Sequence, residues 1–219
     1  MGRDSHPRVR QLNKLARKKA NRASYDRILI VSEGKKTEPQ YFTEIRQFYR
    51  LHTANIRVLP SAYGTTPQQV VDFAHDECKK TLLWEKVYCV FDRDDHLNFN
   101  NALKSAHAMD KKFKNELNKP IRFFAITSIP CFELWLLLHF DYLSRYIHRD
   151  EVLHLLRQPN RLPNYDKGQV GIFGLTRNLL ENAYKHATDL KKECRRHSRD
   201  NPFTDVDILV KQLTTLKPD

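Results

Sequence analysis

At 219 residues the chain is long enough for one substantial domain, or one domain with an appended subdomain, built on a sizeable hydrophobic core. Hydrophobic residues make up 40% and aromatics 11%, so the abundant charge does not mark the chain as disordered. The excess of 38 Lys and Arg over 26 Asp and Glu, formally +12, favours a polyanionic partner, with nucleic acid ahead of an anionic membrane surface. No membrane span is expected, because the longest apolar run, Leu134 to Leu138, is far shorter than the roughly 20 residues a spanning helix needs.

In chain order, residues 1–24 form a basic arm: Arg3, Arg8, Arg10, Lys14, Arg17, Lys18, Lys19 and Arg22 face the single acid Asp4. Such an arm either contacts phosphates without regard to sequence or is a solvated tail. It lacks the apolar stretch of a secretory signal, so a cytoplasmic location is expected. The aliphatic run Ile28 to Val31 reads as a buried strand that stops at Glu33-Gly34. Gly34 permits a sharp turn, Lys35 and Lys36 add positive charge, and Thr37 is placed to cap a helix beginning near Glu38 and Pro39. Glu-Gly after a strand is also ordinary turn chemistry.

Tyr41, Phe42, Ile45, Phe48 and Tyr49 recur at helical spacing, Ile56 to Leu59 reads as a short strand, and Pro67 opens a helix after the loop Ser61 to Thr66. A further apolar strand, Val87 to Phe91, runs into Asp92-Arg93-Asp94-Asp95-His96. Helical spacing continues from Asn98 to Asn118, and Ile121 to Ile126 is again strand-like. Strands alternating with helices predict a mostly parallel sheet flanked by helices, with the ligand site at the carboxyl ends of the strands. Glu33 and Asp92 to Asp95 fall at such ends.

Pro130 then heads the run Cys131 to Phe140, with Glu133 in the first helical turn. Glu133 is either a local helix-end acid or a further ligand pointing into the strand-end cleft. Beyond Phe140 the β signal vanishes. Helices are expected around Glu151 to Arg157, Leu175 to Arg195 and Asp205 to Thr214, forming a C-terminal helical region over the core, with Lys167 in an intervening loop. The chain thus divides into a basic arm (1–24), an α/β domain (25–140) and a helical region (141–219). The cysteines Cys78, Cys89, Cys131 and Cys194 include no Cys-x-x-Cys pair. Cys194, His186 and His197 could meet on one helix face, but exposed helical histidines are far commoner than zinc ligands.

Carboxylates suit Mg²⁺, a hard ion typically held by one or two of them together with substrate phosphate, and Mn²⁺ is a possible substitute. If strand geometry persists to its end, Asp92 and Asp94 fall on the same side of the extended backbone, with Arg93 on the other. Asp95 is either a reserve ligand or a helix cap, and Glu33 either completes the coordination or exchanges a proton with a reacting oxygen. Lys35, Arg93 or Lys167 would steady a phosphate.

The order of Glu33-Gly34 after one strand and Asp92-Arg93-Asp94 after a later one resembles the Toprim domain of topoisomerases, primases and overcoming-lysogenization-defect nucleases. More closely, Ile30 to Pro39, Phe91 to His96 and Pro130 to Phe140 resemble the RloB-like family of restriction-locus and phage-defence proteins. That resemblance implies a Toprim-like fold, a divalent metal, phosphodiester cleavage of DNA or RNA, and often a separate ATPase encoded nearby; this chain has no Walker A loop of its own. Three functional classes follow: a Mg²⁺-dependent nuclease, including an RNA-specific (tRNA) one; a non-catalytic nucleic-acid-binding module; and a phosphotransferase of response-regulator-like architecture. Intact Glu33, Asp92 and Asp94 count against the second, and the lack of a separate phosphoacceptor arrangement counts against the third.

Overall fold

The computed structural model describes residues 26–93 and 96–216. The basic arm, Asp94 and Asp95 therefore lie outside the described residues. Five strands form one mixed sheet among those residues: β1 (Ile28–Ser32), β2 (Ile56–Pro60), β3 (Lys86–Asp92), β4 (Arg122–Ile129) and β5 (Phe203–Thr204). Their order is β2-β1-β3-β4-β5, with the first four parallel and β5 antiparallel to β4. The sheet is thus the mostly parallel, helix-flanked α/β structure expected from the alternating sequence pattern.

The connecting helices are α1 (Thr37–Phe48), α2 (Pro67–Thr81) and α3 (Phe99–Met109). After β4 come α4 (Glu133–Leu137), α5 (Arg149–Leu156), α6 (Ile172–Thr176), a single 3₁₀ turn, α7 (Leu180–Arg196) and α8 (Val206–Thr215). Both faces of the sheet are covered, which is why β1 is buried at every position and reads as an unbroken apolar run. Successive side chains diverge to two cores. Ile28, Ile30, Tyr88 and Val90 join Tyr41, Phe42, Trp135, Val152, Leu190 and Leu209 on one face. Leu29, Val31, Val87, Cys89 and Phe91 join Val70, Ala74, Ala102 and Ala106 of α2 and α3 on the other.

Local chemistry fixes the element ends. At α2, Thr66 and Gln69 form a reciprocal capping box with Pro67 opening the helix. At α1, by contrast, Thr37 makes no cap; its hydroxyl accepts a hydrogen bond from the Gly168 N–H at 3.1 Å. The helical spacing predicted from Asn98 to Asn118 ends at Met109, because the Asp110 carboxylate accepts from Arg122 Nε at 2.8 Å and the Phe123 N–H at 2.9 Å, turning the chain onto β4. Lys111, with φ of 62°, cannot continue a right-handed helix.

Pro130 does not open α4, which begins at Glu133 and spans five residues. Trp135 is fully buried there and donates to the Tyr41 hydroxyl at 2.9 Å, joining α4 to α1. Beyond Phe140, β5 contradicts the expectation of helices alone. Two residues are too few to give a periodic signal, and the strand is defined by its pairing with Ser128 and Ile129. Ile147, Val152 and Leu209 share a core with Ile30 and Tyr41.

Candidate active-site cleft

The strand order reverses between β1 and β3: the chain leaves β1 for β2 on one side and crosses to β3 on the other. This is the topological switch point at which open α/β sheets bind ligands outside the strand carboxyl ends. Ser32 pairs with Val90 there, and the Glu33 N–H donates to the Val90 carbonyl at 2.9 Å. Glu33 Oε2 accepts from the Asp92 N–H at 3.1 Å, and His96 Nε2 lies 3.3 Å from Glu33 Oε1. Both carboxylate oxygens of Glu33 are thereby oriented by the neighbouring strand end.

Asp92 lies two residues beyond Val90, so strand alternation turns it towards α1 and α4. Its side chain is almost completely covered, and Oδ2 accepts from the Phe132 N–H at 3.0 Å, just before the first turn of α4. One residue on is Glu133, 3% exposed, whose Oε1 accepts from the Tyr165 hydroxyl at 3.1 Å. Glu133 lines the cleft. From α1 comes Glu38, 6% exposed.

These acids disturb one another. Burial pushes the Asp92 carboxyl well above the ordinary carboxylate range, and the charges of Glu38, Glu133 and Glu33 push it further. Burial likewise raises Glu38 from 4.5 to about 7, opposed by backbone hydrogen bonds and augmented by Glu133 and Glu33. The result is a buried cluster of carboxyls that resists ionisation.

The cleft is a cavity of about 370 Å³, and Lys35, Lys36, Arg149 and Lys167 line it together with the acids and Thr65. Lys167 reaches it because its loop is pinned on both sides, by Tyr165 to Glu133 and by Gly168 to Thr37. Glu44 of α1 holds the next part of the loop, accepting from the N–H groups of Gly171 at 2.6 Å and Phe173 at 2.8 Å. Gly168 has φ of +81°, and a Cβ there would sit 2.7 Å from Lys36 Cβ.

Glu33, Asp92, Glu133, Lys35 and Lys167 are thus brought to one cavity. Asp94 and Asp95 fall outside the described residues. Arg93 points elsewhere, pairing with Asp200 and lining a neighbouring cavity. Cys194 and His186 are committed to backbone carbonyls, the thiol donating to Pro202 O at 3.1 Å and His186 Nδ1 lying 2.8 Å from Leu138 O.

Glu38, His96, Thr65 and Arg149 were not legible as site residues. For Glu38 the available signal was its place in the first turn of a helix, five residues after Glu33, the same kind of placement that drew attention to Glu133. Gly34 makes room for it: a Cβ at Gly34 would lie 2.0 Å from Glu38 Oε2. Gly34→Ala is therefore expected to displace the buried carboxylate and destabilise the fold by about 1–3 kcal/mol, measured by chemical denaturation. An unchanged midpoint would show that Glu38 relaxes without strain.

All four acids offer oxygen, the donor a hard cation takes, and burial together with the neighbouring carboxylates raises the Asp92 carboxyl, a cost that a bound cation would offset. Among the described residues no group of three or more His, Cys, Asp or Glu side chains is already arranged to hold a metal ion. Glu33, Asp92 and Glu133 are instead each drawn to a hydrogen-bond donor. In donor type the residues fit such an ion.

The fold and cleft define a class: an α/β protein with clustered carboxylates and a basic rim at the switch point of a parallel sheet. The model of the RloB-like protein family matches residues 28–213, and the chain belongs to that family. No curated protein and no solved structure matches the chain significantly.

Proposed function

We propose that the protein is a Mg²⁺-dependent nuclease of the Toprim type, which cleaves phosphodiester bonds of nucleic acid in the cytoplasm as the effector of an anti-phage defence system with a separate ATPase. One observation carries the chemistry: Glu33, Asp92, Glu133 and Glu38, from two strand ends and two helix starts, converge in one cavity beneath a rim of Lys and Arg. Family membership supports the defence setting. The formal charge of +12 supports a polyanion as the target.

Asp92, Glu133 and Glu33 would hold the ion, with Asp94 and Asp95 as further candidates and Mn²⁺ as a substitute. When bound, the ion would neutralise phosphate charge and lower the pKa of a bound water. The chain's own groups do the rest. Lys35, Lys36, Arg149 and Lys167 draw a phosphate to the cavity mouth as fixed positive charges. Tyr165 and the Phe132 N–H hold Glu133 and Asp92 in place, while His96 and the Asp92 N–H fix the orientation of Glu33.

The test is incubation with plasmid, single-stranded DNA and total tRNA in Mg²⁺, Mn²⁺ or EDTA. Cleavage with either metal that EDTA abolishes, and that Glu33→Gln and Asp94→Asn remove, is the expected result. Full activity of both variants would defeat the assignment at these residues. Retained nucleic-acid binding with no cleavage of any substrate would instead identify a binding module.

A further inference from the structure

Next to the carboxylate cleft lies a larger cavity, of about 530 Å³, and the two share Arg149. The larger cavity has aromatic and polar walls, with Tyr146, His148 and Arg93 among them. Tyr146 is 60% exposed, yet its ring packs edge-on to His148, centroids 5.0 Å apart. Between these two, Ile147 is fully buried, and its N–H and carbonyl are both bonded to the Asn201 side-chain amide, each at 3.0 Å. Single exposed aromatic rings are ordinary on protein surfaces. This one lines a cavity, stands next to a backbone held at Ile147 and rests edge-on against His148.

A third cavity, of about 340 Å³, adjoins the second through Arg93, Ile129 and Asp200, and carries Arg195 and Arg199. Arg149, shared with the carboxylate cleft, and Arg93, shared with the third cavity, thus flank the hollow that Tyr146 and His148 line. In a nucleic-acid strand each base branches from a sugar between two phosphates, so a base turned into the hollow would leave its flanking phosphates near these two arginines. Asp150 on the middle cavity offers an acceptor to the donor groups of a base edge, while Asp200 is paired with Arg93.

We infer that the middle cavity is a base-stacking subsite, Tyr146 its platform, and that the protein takes single-stranded or locally unpaired nucleic acid in preference to duplex. A base within a duplex is covered by its neighbours and cannot enter a concave hollow, whereas an unpaired base can turn in and stack on an aromatic ring. The inference rests on the nuclease reading only in placing the scissile phosphate over Glu33, Asp92 and Glu133; the base-binding subsite stands on its own geometry.

The experiment measures binding in EDTA, so that cleavage plays no part. Fluorescence anisotropy of the full chain with a labelled single-stranded oligonucleotide and its matched duplex is compared for wild type, Tyr146→Ala and Tyr146→Trp. The expected result is tighter binding of the single strand by wild type, a loss of about 5- to 100-fold in single-strand affinity for Tyr146→Ala, duplex affinity within about twofold, and recovery in Tyr146→Trp. Equal losses for strand and duplex, no loss for either, a wild-type preference for duplex, or no binding of either would overturn the inference. If this pattern holds while wild type cleaves nothing in Mg²⁺ or Mn²⁺, the nuclease reading fails and the stacking subsite remains.

Discussion

Asp92→Asn is expected to lower metal-dependent cleavage by at least about 100-fold while leaving the melting temperature of the metal-free protein equal or higher at neutral pH. The two halves have one cause. The Asp92 carboxylate is buried among Glu38, Glu133 and Glu33, so its charge is unfavourable in the fold and useful only to a cation. The side-chain oxygen of Asn can still accept the Phe132 N–H that Asp92 Oδ2 accepts now, and α4 keeps its anchor. An acid present for structure behaves oppositely: removing its charge breaks an attraction and costs stability. Cleavage assays and thermal melts in EDTA on the same preparation separate the cases, and lost activity together with a lower melting temperature would assign Asp92 to the fold.

Glu38 supplies the second large effect, through pH. Its carboxyl titrates near 7 in the folded protein against 4.5 ordinarily, mainly because of burial. A raised carboxyl means that the folded state holds its proton where the unfolded chain has already released it, so stability falls as pH rises through that interval. In EDTA the loss should begin near pH 4.5, reach its full extent above about pH 7, and amount to at most about 3 kcal/mol. Glu38→Gln should flatten this part of the profile and be the more stable protein at pH 8. A divalent ion should also restore stability at high pH, since binding requires ionised carboxylates and competes with protons. Denaturant titrations at several pH values in EDTA and in Mg²⁺ check this; parallel profiles for wild type and Glu38→Gln would remove Glu38 from the charge cluster.

The parallel sheet was legible because β1, β3 and β4 are apolar runs closed by turn or acidic residues, and the fully covered faces are what make such runs continuous. Glu33 and Asp92 were legible for the same reason, since a carboxylate directly after a buried strand interrupts the pattern. Other parts depend on contacts distant in sequence. β5 is two residues long and exists through β4. The early end of α3 is set by Asp110 bonding to Arg122 and Phe123, and periodicity alone carried the predicted helix past it. Glu38 resembles an ordinary first-turn acid until Gly34 is seen to leave it room, and Arg149 enters the cleft from a helix more than a hundred residues beyond Glu33. Lys167 was identified by residue type and placed by Tyr165 and Gly168.

The central claim, that the buried carboxylates form a divalent-metal centre, is tested most directly by titrating Mn²⁺ into the protein without nucleic acid at about pH 8 and following the free-ion signal by electron paramagnetic resonance. Wild type should remove the signal stoichiometrically, whereas Asp92→Asn combined with Glu133→Gln, folded by thermal melt, should leave it as in buffer. Equal uptake by both proteins, or none by wild type, would contradict the account.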